Sequence, residues 1–210
     1  MRVLITLGGT REPIDAVRFI GNRSSGQLGA ALVEAAVSGG HSTTVIAAAV
    51  SVTINASARR IDVQTAAEMM RAVLLEFPAH DLLIMAAAVS DYRPRTPASG
   101  KLERGGALTI ELDPTEDILA AVARIKRPDQ RTVGFSLESW PNPELGPQRA
   151  ARKLIAKSLD LIVANPLNTV NSPCIDPTLI YPDGHREPLQ TMDKTLFGNE
   201  LLSRCLRLFA

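Results

Sequence analysis

Three short stretches carry side chains that could manage a crowded set of anions. The first, Gly8-Gly9-Thr10-Arg11-Glu12-Pro13-Ile14-Asp15, joins two glycines to a hydroxyl and a guanidinium. Glycine permits positive φ or close backbone approach, and arginine can fork two hydrogen bonds to a carboxylate or phosphate. A tight turn followed by a solvated arginine fits the same residues. The second, Gly21-Asn22-Arg23-Ser24-Ser25-Gly26, precedes an apolar run of helical period. Ser24 and Ser25 are good helix caps, and with Gly26 they can leave the first helical N–H groups pointing at an anion. A plain cap with no ligand reads equally well. Asn22 offers a donor and an acceptor on one amide. The third runs from Ala86-Ala87-Ala88-Val89-Ser90-Asp91 through Tyr92-Arg93-Pro94 to Lys101. Small residues there leave room for a planar base or ribose, and Asp91 could accept hydrogen bonds or help hold a divalent cation. The basic segment that follows suits a mobile lid whose Lys101 closes over phosphates, and equally a disordered surface loop.

These stretches need a frame that brings them together. Val3 to Leu7 is a continuous apolar run stopped by Gly8-Gly9, the signature of a strand buried on both faces of a parallel sheet. The residues after it read as loop. Leu28, Ala31, Leu32, Ala35 and Ala36 then recur at helical spacing until Gly39-Gly40, which predicts a helix from Ser25. Further strands are predicted at 43–47, 61–63, 82–88, 132–136 and 159–164. Helices are predicted from the capping box Thr65-Ala66-Ala67-Glu68 to about Phe77, near 116–125 and near 147–157. A hairpin about Pro182-Asp183-Gly184 and a helix over 193–208 close the chain. The alternation predicts an α/β fold: a doubly wound, Rossmann-like, mostly parallel sheet with helices on both faces and a C-terminal hairpin plus helix. In such sheets ligands bind beyond the carboxyl ends of the strands, where all three stretches should lie.

Bulk properties narrow the partners. A chain of 210 residues suits one domain. Lys plus Arg total 23 against 22 Asp plus Glu, so no overall positive field exists to draw in nucleic acid. Cys174 and Cys205 match neither a zinc knuckle nor a redox pair and read as reduced thiols. No window reaches the roughly 18 apolar residues of a membrane span, and the start MRVLITLGG is unlike a leader, so a cytoplasmic protein is expected.

Taken together, Ile5–Asp15, Val17–Ile20, Asn22–Gly26 and Ala86–Pro94 closely resemble phosphopantothenate–cysteine ligase of coenzyme A biosynthesis. The likeness extends through Lys101, Asp117-Ile118-Leu119, Val133-Gly134-Phe135 with Glu138, and Asp160–Asn165, covering roughly residues 2–165. The resemblance implies a ligation in which the carboxylate of 4′-phosphopantothenate is activated as an acyl-nucleotidylate and then joined to cysteine. It implies Mg²⁺ as cofactor, held by Asp91, and CTP in preference to ATP as co-substrate. Asn22 would contact the acyl-nucleotidylate and Lys101 would offset charge as pyrophosphate leaves. Gly8, Gly9, Thr10, Ser24, Ser25 and Gly26 would contact phosphates; Ala87, Ala88 and Asp91 would border the nucleotide, and Phe135 would pack near its base. Arg11 and Arg18 would anchor the substrate phosphate. A homodimer is implied too. Because the chain opens at the first ligase strand, the expectation is one ligase domain over 1–210, with the decarboxylase of the pathway on a separate polypeptide.

Two regions depart from the family's pattern. Pro166 stands where Asp is usual, and Asn171-Ser172-Pro173-Cys174-Ile175-Asp176 replaces a glycine- and Asn-containing turn. Glu103 and Arg104 follow Leu102 where a further lysine is common. Two other readings share parts of this pattern. One is a nucleotide-binding homologue without ligase activity. The other is an NAD(P)-dependent reductase, which should show G-x-G-x-x-G after the first strand and an acidic residue after the second; here GGTREPID and Ala47-Ala48-Ala49 occupy those places.

Overall fold

The structure, a computed structural model, describes residues 1–138, 145–170 and 172–209. Asn171 and the side chain of Glu138 lie outside the described residues. Strand β1 (Arg2–Leu7) leads into a two-stranded antiparallel ribbon, β2 (Arg11–Pro13) with β3 (Phe19–Gly21), and then helix α1 (Gln27–Ser38). Next come β4 (Ser42–Ala47), β5 (Arg59–Asp62), α2 (Ala66–Glu76) and β6 (Leu82–Met85). A second ribbon, β7 (Tyr92–Pro94) with β8 (Leu112–Pro114), precedes α3 (Ile118–Ala123), β9 (Arg131–Glu138), α4 (Leu145–Ala156) and β10 (Leu161–Pro166). The chain ends with β11 (Cys174–Ile175), β12 (Thr178–Ile180), β13 (Arg186–Pro188), β14 (Met192–Asp193) and α5 (Lys194–Arg207).

Eight strands form one sheet in the order β13-β12-β10-β9-β6-β1-β4-β5. The six from β10 to β5 run parallel, and β12 and β13 add on antiparallel as the expected hairpin. Side chains of a strand alternate between faces. Val3, Ile5 and Leu7 therefore pack beneath α1 and α5 with Leu32, Val33, Phe197 and Leu201, while Leu4 faces Met69, Val73, Phe77 and Ile118 on the side of α2, α3 and α4. Burying both faces is what demanded the near-continuous apolar runs seen in the sequence. Both cysteines are free; Cys205 is fully buried on α5, and that burial pushes its thiol up to about 12. Among the described residues, no helix is long and apolar enough to cross a membrane.

Several findings differ from the sequence reading, among them a second ribbon, β7 with β8, in the stretch read as loop. The loop after β1 contains the β2–β3 ribbon. Strand β6 stops at Met85, three residues early, because the chain peels away to bridge Gly9 with Ala88. Helix α1 begins at Gln27 with Gly26 as its N-cap, and neither serine caps it. The capping box of α2 is present as read: the Glu68 N–H donates to Thr65 Oγ1 at 3.1 Å, and Glu68 Oε2 accepts from the Thr65 N–H at 3.2 Å. A fully sequestered Glu12 on the ribbon adds a bond from the Ala66 N–H at 2.8 Å, which docks the ribbon on the helix start.

The order of the sheet fixes the crevice. From β1 the chain winds outward to β4 and β5, then returns to β6 on the other side of β1 and winds away to β9 and β10. Connections leaving β1 and β6 thus diverge at their carboxyl ends, the switch point where doubly wound folds take ligands.

Candidate functional site

The segment after β1 is woven between its neighbours. Gly8 has φ of +85°, and a Cβ there would lie 2.7 Å from the Ala49 carbonyl oxygen. The Gly9 N–H donates to Ala49 O at 3.1 Å, the Thr10 N–H to Ala88 O at 3.2 Å, and the Arg11 N–H to Gln64 O at 2.8 Å. A Cβ on Gly9 would stand 2.8 Å from Asn22 O. The Thr10 side chain is fully buried; its hydroxyl donates to Ser90 Oγ at 3.1 Å and accepts from the Ser90 N–H at 2.9 Å. Phosphate contacts at Gly9 and Thr10 would therefore have to use groups other than these donors. These donors are engaged within the protein: the Gly9 amide ties the β1 loop to the segment after β4, and the Thr10 amide and hydroxyl tie it to the segment after β6. The positive φ and close approach at Gly8 and Gly9 serve chain against chain.

The open donors lie at α1. Gly26 adopts the left-handed conformation, φ +82°, and the first helical bond runs from the Ala30 N–H to Gly26 O at 2.9 Å. The amides of the first turn have no intrahelical acceptor. No side chain caps them and no acidic residue lies in the first turn; Ser25 Oγ comes only within 3.4 Å of the Gln27 nitrogen. Aligned peptide dipoles add partial positive charge at this end, so it is receptive to an anion. The helix also sits unusually close to the sheet: a Cβ on Gly29 would fall 2.2 Å from Leu7 Cβ. In the dinucleotide fingerprint three glycines serve a turn, a phosphate approach and close helix–strand packing. Here Gly8, Gly26 and Gly29 take comparable positions, separated by the β2–β3 ribbon inserted between the first and second.

Beside this helix end lies a cleft of about 250 Å³ lined by Gly9, Arg11, Phe19, Gly21, Asn22, Arg23, Ser24 and Ala49. Asn22 Nδ2 donates to Val89 O at 2.9 Å, so its amide spans the two diverging loops while Oδ1 stays available. The Arg11 guanidinium stacks 4.5 Å above the Phe19 ring. Among the described residues neither Arg11 nor Arg23 has a carboxylate partner within ion-pair distance, so the cleft carries two uncompensated positive charges. Arg23, Phe19 and Ala49 line the cleft without a sequence signal of their own. Arg23 stands inside the Asn22–Gly26 stretch, and its neighbours alone held the clue.

Other anticipated residues are dispersed around this cleft. Ala87 and Ala88 are half-buried on the connection after β6, with the Ala87 N–H on Thr6 Oγ1 at 3.2 Å. Asp91 is exposed on the same connection and its carbonyl accepts from the Thr115 N–H at 2.9 Å. Among the described residues, no group of three or more His, Cys, Asp or Glu side chains is arranged to hold a metal. A single carboxylate nevertheless fits Mg²⁺, which keeps several waters and is usually held by one or two carboxylates plus ligand phosphates. Phe135 lies partly buried on β9, on the face covered by α1 and α5. Arg18 does not line the cleft: its Nη1 pairs with Asp15 Oδ2 at 2.7 Å at the tip of the ribbon. Lys101 is exposed beside that tip and does not line the cleft. Pro166 ends the strand, where a missing N–H is tolerated, and Asn165 Nδ2 donates to Thr169 Oγ1 at 2.8 Å across the following turn.

Fold and cleft together define a doubly wound α/β protein equipped to receive an anionic ligand at its switch point. Residues 1–208 match the family described as DNA/pantothenate metabolism flavoprotein C-terminal domain, and the chain belongs to it. It is 40% identical over 200 residues to the coenzyme A biosynthesis bifunctional protein CoaBC of Vibrio cholerae serotype O1, covering 91% of this chain and 49% of that protein. The chain spans about half the length of such relatives. The crystal structure of the C-terminal domain of a CoaBC protein superposes with a TM-score of 0.83 at 32% identity, covering 99% of this chain and 94% of the other. A Cab2 mutant in complex with phosphopantothenate-cysteine shares the fold, with a TM-score of 0.77 at 19% identity, over 99% of this chain and 87% of that one.

Proposed function

We propose that this chain catalyses phosphopantothenate–cysteine ligation in coenzyme A biosynthesis. The observation that carries this reading is the uncapped start of α1 beside Asn22, Arg11 and Arg23, in a chain of this family. In the first step a carboxylate oxygen of 4′-phosphopantothenate bonds to the α-phosphorus of CTP, and the bond to pyrophosphate breaks. In the second, the cysteine amine bonds to the acyl carbon, CMP leaves with the bonding electron pair, and the amine loses a proton. No protein nucleophile is required. The difficulty is repulsion among phosphates and carboxylate, which preorganised donors and cations offset in a site sheltered from water. The α1 amides and the arginines supply that positive field, and Asn22 donates to charge developing on the acyl-phosphate oxygens. Asp91 is the side chain that would hold Mg²⁺, which when bound would neutralise phosphate charge. CTP rather than ATP is the co-substrate that the resemblance to the ligase family implies. Exposed Val17, Phe19, Tyr92 and Leu112 on the two ribbons support a homodimer.

Lys101 enters this mechanism as the cation that meets the departing pyrophosphate. Lys101→Ala is expected to lower kcat by about 100-fold, the order reported for loss of one transition-state donor, with little change in KM for CTP. Stopped-flow detection of pyrophosphate checks this; wild-type kinetics would remove Lys101 from the chemistry. Replacing CTP by ATP in the same assay tests nucleotide choice, and faster turnover with ATP would reverse that assignment.

A further inference from the structure

Asp15 sits at the tip of an exposed ribbon, yet its side chain is completely buried. Oδ1 accepts the Val17 N–H at 2.8 Å and the Arg18 N–H at 2.7 Å, which closes the turn between β2 and β3. Oδ2 accepts Arg18 Nη1 at 2.7 Å and, across 87 residues of sequence, the Leu102 N–H at 3.1 Å. The Arg18 guanidinium reaches back to the Leu102 carbonyl at 3.4 Å. Leu102 is thus held through both of its backbone groups, and the Ala98 N–H is held by Ile14 O at 2.9 Å. The rest of the connection between β7 and β8 has no regular secondary structure. Led by the Val17 N–H and against the cost of burial, these donors keep the Asp15 carboxyl below the usual carboxylate range. An Asx-type turn needs one side-chain oxygen, which Asn or Ser would also supply. The second oxygen, buried and aimed at Leu102, is therefore surplus to the turn.

We infer that Asp15 is a positioning residue: through Leu102 it fixes the backbone from which Lys101 projects, so that the lysine swings from a set point at the ribbon tip. The positioning role rests on the reading that Lys101 acts in ligation; the latch itself does not.

Asp15→Asn retains an oxygen for the Val17 and Arg18 amides but turns an NH₂ group toward the Leu102 N–H and Arg18 Nη1, donor against donor. Amide hydrogen exchange on the full chain should then show Leu102 exchanging about tenfold faster or more, the effect of losing one charge-assisted bond, while α2 amides are unchanged. Tryptic cleavage after Lys101 and Arg104 should accelerate similarly, and kcat for ligation should fall about tenfold with KM for CTP retained. Unchanged exchange at Leu102 overturns the latch, and faster exchange with unchanged kcat overturns the positioning role. Should the variant fail to fold, wild-type exchange decides: the latch requires the Leu102 amide to be protected well beyond those of Gly100 and Gly105, and equal exchange overturns it. A wild-type protein without ligase activity would sink the ligase reading and the positioning role with it, leaving the exchange result to decide the latch.

Discussion

Asn22→Ala is expected to lower turnover by about 100- to 1,000-fold while nucleotide still binds, the range found when a single preorganised donor to a developing oxyanion is removed. Two effects contribute, and they can be separated. Nδ2 holds the Val89 carbonyl at 2.9 Å, so alanine loosens the tie between the loops leaving β1 and β6. It also removes the amide from a cleft whose neighbouring donors, on Gly9 and Thr10, already serve Ala49 and Ala88. Asn22→Asp retains the shape but has no N–H to donate and adds a negative charge among phosphates, so it should be at least as impaired. A loss confined to loop anchoring would raise KM, whereas a role in forming or using the acyl-nucleotidylate lowers kcat. Rapid-quench measurement of nucleotidylate and CMP resolves these. Wild-type turnover by the alanine variant would refute the assignment.

Gly29→Ala should destabilise the fold by about 3 kcal/mol, the upper part of the usual range for overpacking. The added Cβ would lie 2.2 Å from Leu7 Cβ, far inside any van der Waals contact, and fully buried Val3, Ile5 and Leu32 leave no room for β1 or α1 to yield cheaply. In an exposed helix alanine would instead be favoured over glycine by about 1 kcal/mol, so the sign of the effect separates packing from propensity. For a chain of this size the loss corresponds to about 10 °C in Tm, readable by calorimetry. A melting temperature equal to or above that of the wild type would show that α1 does not sit against β1 as described.

Much of the frame was legible because its signals are local. Apolar runs gave β1, β4 and β6, and Thr65 with Glu68 gave the start of α2, since a capping box is written within four residues. The ribbons were hidden because three-residue strands carry no periodicity of their own. β2 and β3 are held by distant partners instead: the Ala66 amide on Glu12 and the Leu102 amide on Asp15. The same reason hides the partners of the loop donors. Glycine after a strand correctly marked unusual backbone at Gly8, but only the fold brings Ala49 and Ala88 to the amides of Gly9 and Thr10. Ser24 and Ser25 had the composition of caps, and the left-handed Gly26 took the position. Arg18 and Arg11 look alike in sequence; the buried Asp15 distinguishes them by engaging one and leaving the other stacked on Phe19.

The proposed function turns on a crevice that would convert a carboxylate into a mixed anhydride with a nucleotide. The most direct test incubates the protein with Mg²⁺, 4′-phosphopantothenate and CTP, without and then with cysteine, and follows pyrophosphate and CMP. The account predicts that pyrophosphate appears only when phosphopantothenate is present, and that sustained CMP release requires cysteine. Pyrophosphate release independent of phosphopantothenate, or none under any combination of CTP, ATP and the two organic substrates, would contradict it.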